Sequence, residues 1–317
     1  MSGKEKKIYV AGHNGMVGSA ITRELTKRGY KNLLLKSLVE LDLRKQKDVE
    51  SFLNKEKPEI VIIAAAKVGG ILANNTYRAD FLYDNLMIEL NIIHSSYLTK
   101  VEKVIFLGSS CIYPKLAPQP LKEEYLLSGY LENTNEPYAI AKISGIKMCE
   151  NYYKQYGCNF YSVMPTNLYG INDNFDLQTS HVLPALIRKF HEAKKGGKDK
   201  VSLWGTGKPR REFLYVDDLA EAILFMMENV EAKDLYENGI THLNIGTGKD
   251  ISISELASVI SKIVGFNGKI EYDKTKPDGT PRKLMDVSRI NKLGWKYKTE
   301  LEEGIEKTYK WFLDNKG

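Results

Sequence analysis

An α/β chain, with a doubly wound parallel sheet followed by a smaller C-terminal lobe, is predicted by three observations. Short β-branched runs at residues 8–11, 32–35, 59–66, 103–108 and 159–164 alternate with longer stretches of helical periodicity, as strands do when they need helical crossovers to lie parallel. A glycine-punctuated segment, Gly12-His13-Asn14-Gly15-Met16-Val17-Gly18, follows the first apolar run and precedes an amphipathic stretch at residues 19–29. Tyr138 and Lys142 stand four residues apart in a later helical stretch, and that spacing sets both on one helix face.

The elements follow in order. After the strand at 8–11, the G-x-x-G-x-x-G turn departs by one residue from the G-x-G-x-x-G fingerprint, and glycines serve equally in ordinary tight turns. The strand before it and the helix after it favour a dinucleotide pyrophosphate approaching Gly12, Gly15 and Gly18 and resting on the helix N-terminus. The second strand ends at Lys36-Ser37, where an acidic residue would hold the ribose 2′-hydroxyl of NAD. A cation and a hydroxyl there favour the 2′-phosphate of NADP; the plain alternative is an exposed lysine. After the third strand comes a helix at 78–100. The fourth strand runs into Ser109-Ser110-Cys111 at its carboxyl edge. There a hydroxyl, with Ser109 the candidate, can bond a substrate carbonyl. Cys111 reads either as a base, its thiol tuned from about 8.5 toward neutrality by a nearby cation, or as a small buried hydrophobe.

The next helix, 138–156, carries the Tyr138 and Lys142 pair. A phenol with a pKa of about 10 carries protons poorly near neutrality unless a cation stabilises its anion, and Lys142 can supply one; the plain alternative is a surface helix. The fifth strand leads to Pro165-Thr166-Asn167-Leu168-Tyr169-Gly170, and Ser180-His181 opens a helix at 180–193. His181 is either a neighbour of the helix cap or a general acid. A strand at 200–204, a helix at 217–230, a glycine turn at 246–248 and helices at 252–264 and 301–314 complete the chain. Residues 1–170 are expected to form the dinucleotide-binding domain and 171–317 mainly a substrate-binding lobe, with some elements between 204 and 248 returning to the main sheet. Ligands favour the cleft between such units.

The 317 residues are 43% hydrophobic, enough for a sizeable core. A net charge of +6, from 46 basic and 40 acidic residues, is scattered apart from runs at 4–7 and 194–200. Both runs read as solvated surface, and mild basicity suits an anionic ligand; no nucleic-acid motif accompanies them. Three cysteines, with no C-x-x-C pair and no histidine cluster, point to no metal and to a reducing, cytoplasmic setting. No apolar run approaches the roughly 18 residues of a membrane span, so no membrane partner is expected.

The glycine turn, the Tyr-x-x-x-Lys pair and the serine before it resemble the extended short-chain dehydrogenase/reductase family, whose dinucleotide domain is Rossmann-like. More local strings resemble the branch of that family that converts GDP-4-keto-6-deoxy-D-mannose to GDP-L-fucose. These are Ala64-Ala-Ala-Lys-Val-Gly-Gly70, Gly108-Ser-Ser-Cys-Ile-Tyr-Pro114, Pro165-Thr-Asn-Leu-Tyr-Gly170, Ser180-His-Val-Leu-Pro184, and Trp204-Gly-Thr-Gly207 with Arg210-Arg-Glu-Phe213. The likeness spans nearly the whole chain. It implies NADPH-dependent epimerisation at carbon-3 and carbon-5 and reduction at carbon-4. Tyr138 would then be the proton donor, Lys142 would tune it and hold the nicotinamide ribose, Ser109 would orient the carbonyl, and Cys111 and His181 would be the base and acid of the epimerisations. For NADP(H) it implies Gly12, His13, Asn14, Gly15, Met16, Val17, Gly18, Lys36, Leu107, Gly108, Ser109, Lys142, Pro165, Thr166, Asn167, Leu168 and His181. The family often carries further arginines near the 2′-phosphate, where this chain has Asn14 and Leu38.

For the GDP-sugar the resemblance implies Lys189, Trp204, Arg211 and Asp278. Some members have arginine at Lys189, and Asp278 in a Pro-Asp-Gly sequence reads equally as a turn residue. Helices such as 78–100 and 138–156 often pair across a two-fold in this family, so a homodimer is expected. The competing readings are a nucleotide-sugar 4-epimerase or 4,6-dehydratase with tightly bound NAD, and a non-catalytic redox-sensing NADP-binding protein. A dehydratase would favour an Asp-Glu pair where Cys111-Ile112 stands, and a sensor would not need the tyrosine.

Overall fold

In a computed structural model of the protein, which describes residues 3–276 and 278–317, the first half alternates strand and helix. It runs β1 (Ile8–Ala11), α1 (Met16–Lys27), β2 (Leu33–Leu34), α2 (Gln46–Glu56), β3 (Ile60–Ile63), α3 (Ile71–Thr76), α4 (Arg78–Leu98), β4 (Lys103–Leu107), α5 (Glu136–Tyr156) and β5 (Phe160–Pro165). The second half continues with β6 (Asn167–Tyr169), α6 (Val182–Lys195), β7 (Lys200–Trp204), β8 (Arg210–Tyr215), α7 (Val216–Asn229), α8 (Ala232–Tyr236) and β9 (Leu243–Ile245). It ends with β10 (Asp250–Ser252), α9 (Ile253–Val264), β11 (Lys269–Asp273), β12 (Arg282–Lys283), α10 (Ser288–Leu293) and α11 (Leu301–Asn315).

Every residue of β1, β3, β4 and β5 is buried. Strands covered on both faces read as unbroken apolar runs, and these pair parallel. The main sheet has the order β2-β1-β3-β4-β5-β9, parallel throughout. Crossovers to the left of β1 and to the right of β3 must both be right-handed, which sends their helices to opposite faces. Accordingly α1 packs with α7, and α4 packs with both α2 and α5. On α1 the buried Ile21 and Leu25 each contribute about 2 kcal/mol of apolar burial.

The sheet order reverses between β1 and β3, so a crevice opens at their carboxyl ends. The strand expected at 32–35 contracts to two residues, and the one expected at 59–66 ends at Ile63. Beyond that point the chain bonds elsewhere: the Lys67 amide donates to Asn85 Oδ1 at 2.9 Å. The helix expected from residue 19 begins at Met16, which places Gly18 inside its first turn.

A second sheet is built around β8, antiparallel to β10 and parallel to β12 and β6, and a third pairs β7 with β11. These strands, with α6, α9 and α11, enclose their own core, including Tyr169, Leu186, Phe190, Phe213, Leu256, Ile260 and Phe312. Helix α9 starts with a capping box in which Ser252 and Glu255 satisfy each other's backbone amides. Elements α7 and β9 lie with the main sheet. Among the described residues no helix is long and apolar enough to cross a membrane, and no group of three or more His, Cys, Asp or Glu is placed to hold a metal ion.

Candidate active site

The glycine turn closes the carboxyl end of β1. Gly12 has φ +86°, and a Cβ there would stand 2.7 Å from Ala65 Cα of the neighbouring segment, so only glycine fits. Helix α1 begins with Gly15 as its N-cap and no side-chain cap. Its first-turn amides are therefore directed out of the helix without a side-chain acceptor, as an anion site requires. Next to it His13 Nδ1 is buried without a hydrogen-bond partner. Asn172, after β6, donates from Nδ2 to Asn14 O at 3.0 Å and ties the two loops together. These features fit a dinucleotide pyrophosphate at Gly12 to Gly18.

At the end of β2, Lys36 Nζ donates to Glu40 Oε1 at 3.3 Å, while the Ser37 amide and hydroxyl bond Glu40 Oε2 at 2.9 and 2.7 Å. Those hydrogen bonds, with the Lys36 ammonium, hold the Glu40 carboxyl down to about 2. All three of these donors are taken by the Glu40 carboxylate. Leu107 ends β4 with Gly108 directly after it, and Pro165 ends the neighbouring β5. Thr166 then donates its amide to Ile245 O at 3.0 Å, and Asn167 Nδ2 donates to Glu212 O at 2.7 Å; Asn167 and Leu168 begin β6. All of these lie at the carboxyl edge of the sheet.

On the same edge, Ser109 follows β4 and lies beside both the Tyr138 phenol and the Cys111 thiol, pulling each pKa down against the burial that raises it. Pro137 in the first turn of α5 suits the start of a helix and brings Tyr138 and Lys142 under the end of β4. The Tyr138 ring meets Phe81 edge-on at 6.4 Å. Burial pushes its phenol well up, the Cys111 and Glu89 groups push in the same direction, and Ser109 opposes them. Lys142 is 1% exposed, its Nζ 4.6 Å from the Phe106 ring centre and 5.9 Å from that of Tyr138. It forms a buried ion pair at 2.9 Å with Glu89 of α4, a residue without any assignment from the sequence.

Cys111 is buried, and burial pushes its thiol up against the pull of the Lys283 and Lys142 ammoniums. The tuning cation expected from the sequence is thus present, but desolvation outweighs it. His181 stands as the N-cap of α6 and is exposed. The surrounding protein, and then Lys283, push its pKa below the usual histidine value. Lys283 in β12 therefore faces both groups; burial lowers its own pKa, and Cys111 opposes that shift. It too escaped the sequence reading, because only the pairing of β12 with β8, Lys283 beside Arg211, carries it to the site.

The four residues expected to take the GDP-sugar converge on the small lobe. Lys189 Nζ lies 6.0 Å from the Trp204 ring centre and Lys276 Nζ 5.5 Å from it, with the indole largely exposed. Arg211 is partly buried, Nη1 donating to Arg210 O at 2.8 Å. Asp278 accepts from the Thr206 amide at 2.8 Å and hydroxyl at 2.7 Å, so it braces the 204–207 loop that carries Trp204. The adjoining Pro277 of the Pro-Asp-Gly sequence lies outside the described residues.

A family model described as the NAD dependent epimerase/dehydratase family matches residues 8–246. GDP-L-fucose synthase 1 of Arabidopsis thaliana is 58% identical over 315 residues, covering 99% of this chain and 95% of that protein. GDP-L-fucose synthase of Escherichia coli (strain K12) is 54% identical over 313 residues, with 98% of each covered. Among solved structures, a GDP-mannoheptose C4 reductase from Campylobacter jejuni with NADP bound superposes with a TM-score of 0.91 at 46% identity, covering 99% of this chain and 100% of that one.

Proposed function

This chain belongs to the NAD dependent epimerase/dehydratase family, and from that premise we propose that it is an NADPH-dependent enzyme that converts GDP-4-keto-6-deoxy-D-mannose to GDP-L-fucose. It epimerises carbon-3 and carbon-5 and reduces carbon-4. The observation that carries this reading is the gathering of two acid–base groups, Cys111 and His181, around one lysine, Lys283, beside the Tyr138 and Ser109 pair. Reduction of a ketone needs only the second pair. Inverting a centre needs a proton removed from one face and another delivered to the opposite face, which two separate residues accomplish.

The 4-keto group acidifies the hydrogens on carbon-3 and carbon-5. Ser109 donates a hydrogen bond to that ketone and so stabilises the enolate oxygen. Cys111, as thiolate, removes the proton; Lys283 and Lys142 supply the positive charge that favours this form. His181 delivers a proton from the other side. Lys283 also keeps His181 from holding a proton tightly, which suits an acid that must release it. NADPH, when bound, supplies the hydride that reduces carbon-4, and Tyr138 protonates the resulting alkoxide. Gly12 to Gly18 would hold its pyrophosphate, Lys36 and Ser37 its 2′-phosphate, and Lys142 the nicotinamide ribose. Leu107, Gly108 and Pro165 to Leu168 would line its nicotinamide half.

Arg211 and Lys189 would bind the substrate diphosphate, with Trp204 as an apolar wall and Asp278 holding that wall in place. A homodimer through α4 and α5 in the cytoplasm belongs to the same reading. Tyr83, Leu90 and Leu98 on α4 and Ile140 and Tyr156 on α5 supply exposed apolar surface for it. The test is incubation of the protein with NADPH and GDP-4-keto-6-deoxy-D-mannose. Oxidation of one NADPH per GDP-L-fucose formed supports the proposal; epimerised 4-keto sugar with no NADPH consumed would leave the chain an epimerase without the reduction, and an unchanged sugar with no NADPH consumed would contradict the proposal.

A further inference from the structure

One buried ionisable group beside the catalytic residues has no part in the chemistry described above. Glu89, in the middle of α4, is 1% exposed, and its Oε1 lies 2.9 Å from Lys142 Nζ. Apart from that ion pair, neither carboxylate oxygen has a hydrogen-bond partner. Across from it in α5, a Cβ on Gly145 would stand 2.9 Å from Glu89 Oε2 and 2.5 Å from Phe106 Cζ. A glycine in a helix interior weakens the helix; here it leaves the space that the carboxylate and the Phe106 ring occupy.

Taking the reading of Tyr138 as proton donor as given, we propose that Glu89 is a positioning residue for the Tyr138–Lys142 pair, its carboxylate keeping Lys142 charged and fixed against Phe106. A buried amine with no counter-charge gives up its proton readily, and a neutral amine neither stabilises a phenolate nor holds a ribose through a charge-assisted hydrogen bond. Glu89 is the carboxylate within ion-pair distance of this ammonium. The ionisable groups facing it are Lys142, Tyr138 and Cys149, all on α5, and Phe106 of β4 brings no charge. Burial pushes the Glu89 carboxyl up while Lys142 pulls it back. Cys149 is pushed up to about 12 by burial and stays neutral in the working range. Glu89 is therefore the charged group placed to hold the Lys142 ammonium.

The test compares Glu89→Gln with the unaltered protein across pH, measuring both NADPH-dependent reduction and NADPH binding by fluorescence. Removing the carboxylate lets Lys142 lose its proton at lower pH and lets the Tyr138 phenol ionise more easily. Both changes move the alkaline fall in turnover to lower pH, by about one unit, while KM for the GDP-sugar stays within twofold. The pH at which NADPH affinity falls moves the same way. Because binding needs no sugar substrate, it tests Glu89 even if turnover is absent, in which case the functional reading fails by itself. Glu89→Asp, one methylene short of the ammonium, shifts both limbs less and in the same direction, and serves if Glu89→Gln does not fold. A lower melting temperature or lower kcat with both limbs unmoved would overturn the proposal.

Discussion

Tyr138 is partly buried between Ser109, Phe81 and the end of β4, and its phenol is pushed well up by burial. A group that holds its proton firmly serves as an acid toward an alkoxide, which is the role reduction at carbon-4 requires. Tyr138→Phe is expected to lower the rate of NADPH oxidation about a hundred- to ten-thousand-fold and to leave the NADPH dissociation constant within a few-fold. Single-turnover kinetics beside a binding titration check both. Cys111 is expected to separate the two halves of the reaction. Cys111→Ser keeps the local shape but replaces a thiol with a far less acidic hydroxyl, so proton exchange at carbon-3 and carbon-5 fails first and any slow reduction yields an unepimerised GDP-6-deoxyhexose. Product identification by NMR is the check, and normal yields of GDP-L-fucose would return Cys111 to a packing role.

At the scale of elements, β9 is anchored by a buried polar cluster. Tyr113 donates to Asn244 Oδ1 at 2.5 Å and shares a 2.7 Å contact with His242 Nε2, while Thr241 Oγ1 lies 2.8 Å from His242 Nδ1. Asn244 Nδ2 donates to Leu121 O and Asp286 O, joining β9 to the chain after β4 and to the segment after β12. His242 is fully buried, and burial pushes its pKa down to about 3. The unfolded chain holds this proton with a pKa of about 6.5. Stability from the neutral ring is therefore complete above that value and is lost as pH falls toward 3, reaching a loss of about 2 kcal/mol near pH 5. Urea titrations at pH 7 and pH 5 should show a larger fall in midpoint for the unaltered protein than for His242→Gln; parallel falls would remove His242 from the account.

Most of the strands and long helices of the main sheet were legible in the sequence, because a strand buried on both faces, as at Ile60 to Ile63, cannot be other than apolar. What escaped were elements whose identity depends on distant partners. Helix α2 buries only Val49 and Leu53, too few for a clear periodicity, and β8 contains Arg210-Arg211-Glu212, which reads as a polar binding string. Yet Glu212 is fully buried, accepting from the amides of Thr247, Gly248 and Met285, donors supplied by segments far along the chain. The site divides the same way. Ser109, Cys111, Tyr138, Lys142 and His181 lie near motifs that chemistry picks out. Glu89 looks like one more helix-surface charge, and Lys283 one more lysine after a turn, until α5 and β8 are packed against them.

On the scale of the whole molecule, the buried apolar residues form two clusters, one about the main sheet and one about the smaller sheets with α6, α9 and α11. The main sheet contributes Ser109, Cys111, Tyr138 and Lys142, and the small lobe contributes His181, Lys189, Arg211 and Lys283. Under the proposed reading, neither part alone holds both the carbonyl-reducing pair and the second acid–base set, so the reaction draws on both. The most direct measurement is a reaction of the protein with NADPH and GDP-4-keto-6-deoxy-D-mannose in deuterated water, with the product examined by NMR. GDP-L-fucose carrying deuterium at both carbon-3 and carbon-5, with NADPH consumed, is the expected product; a reduced product without deuterium at either carbon would overturn the epimerase assignment.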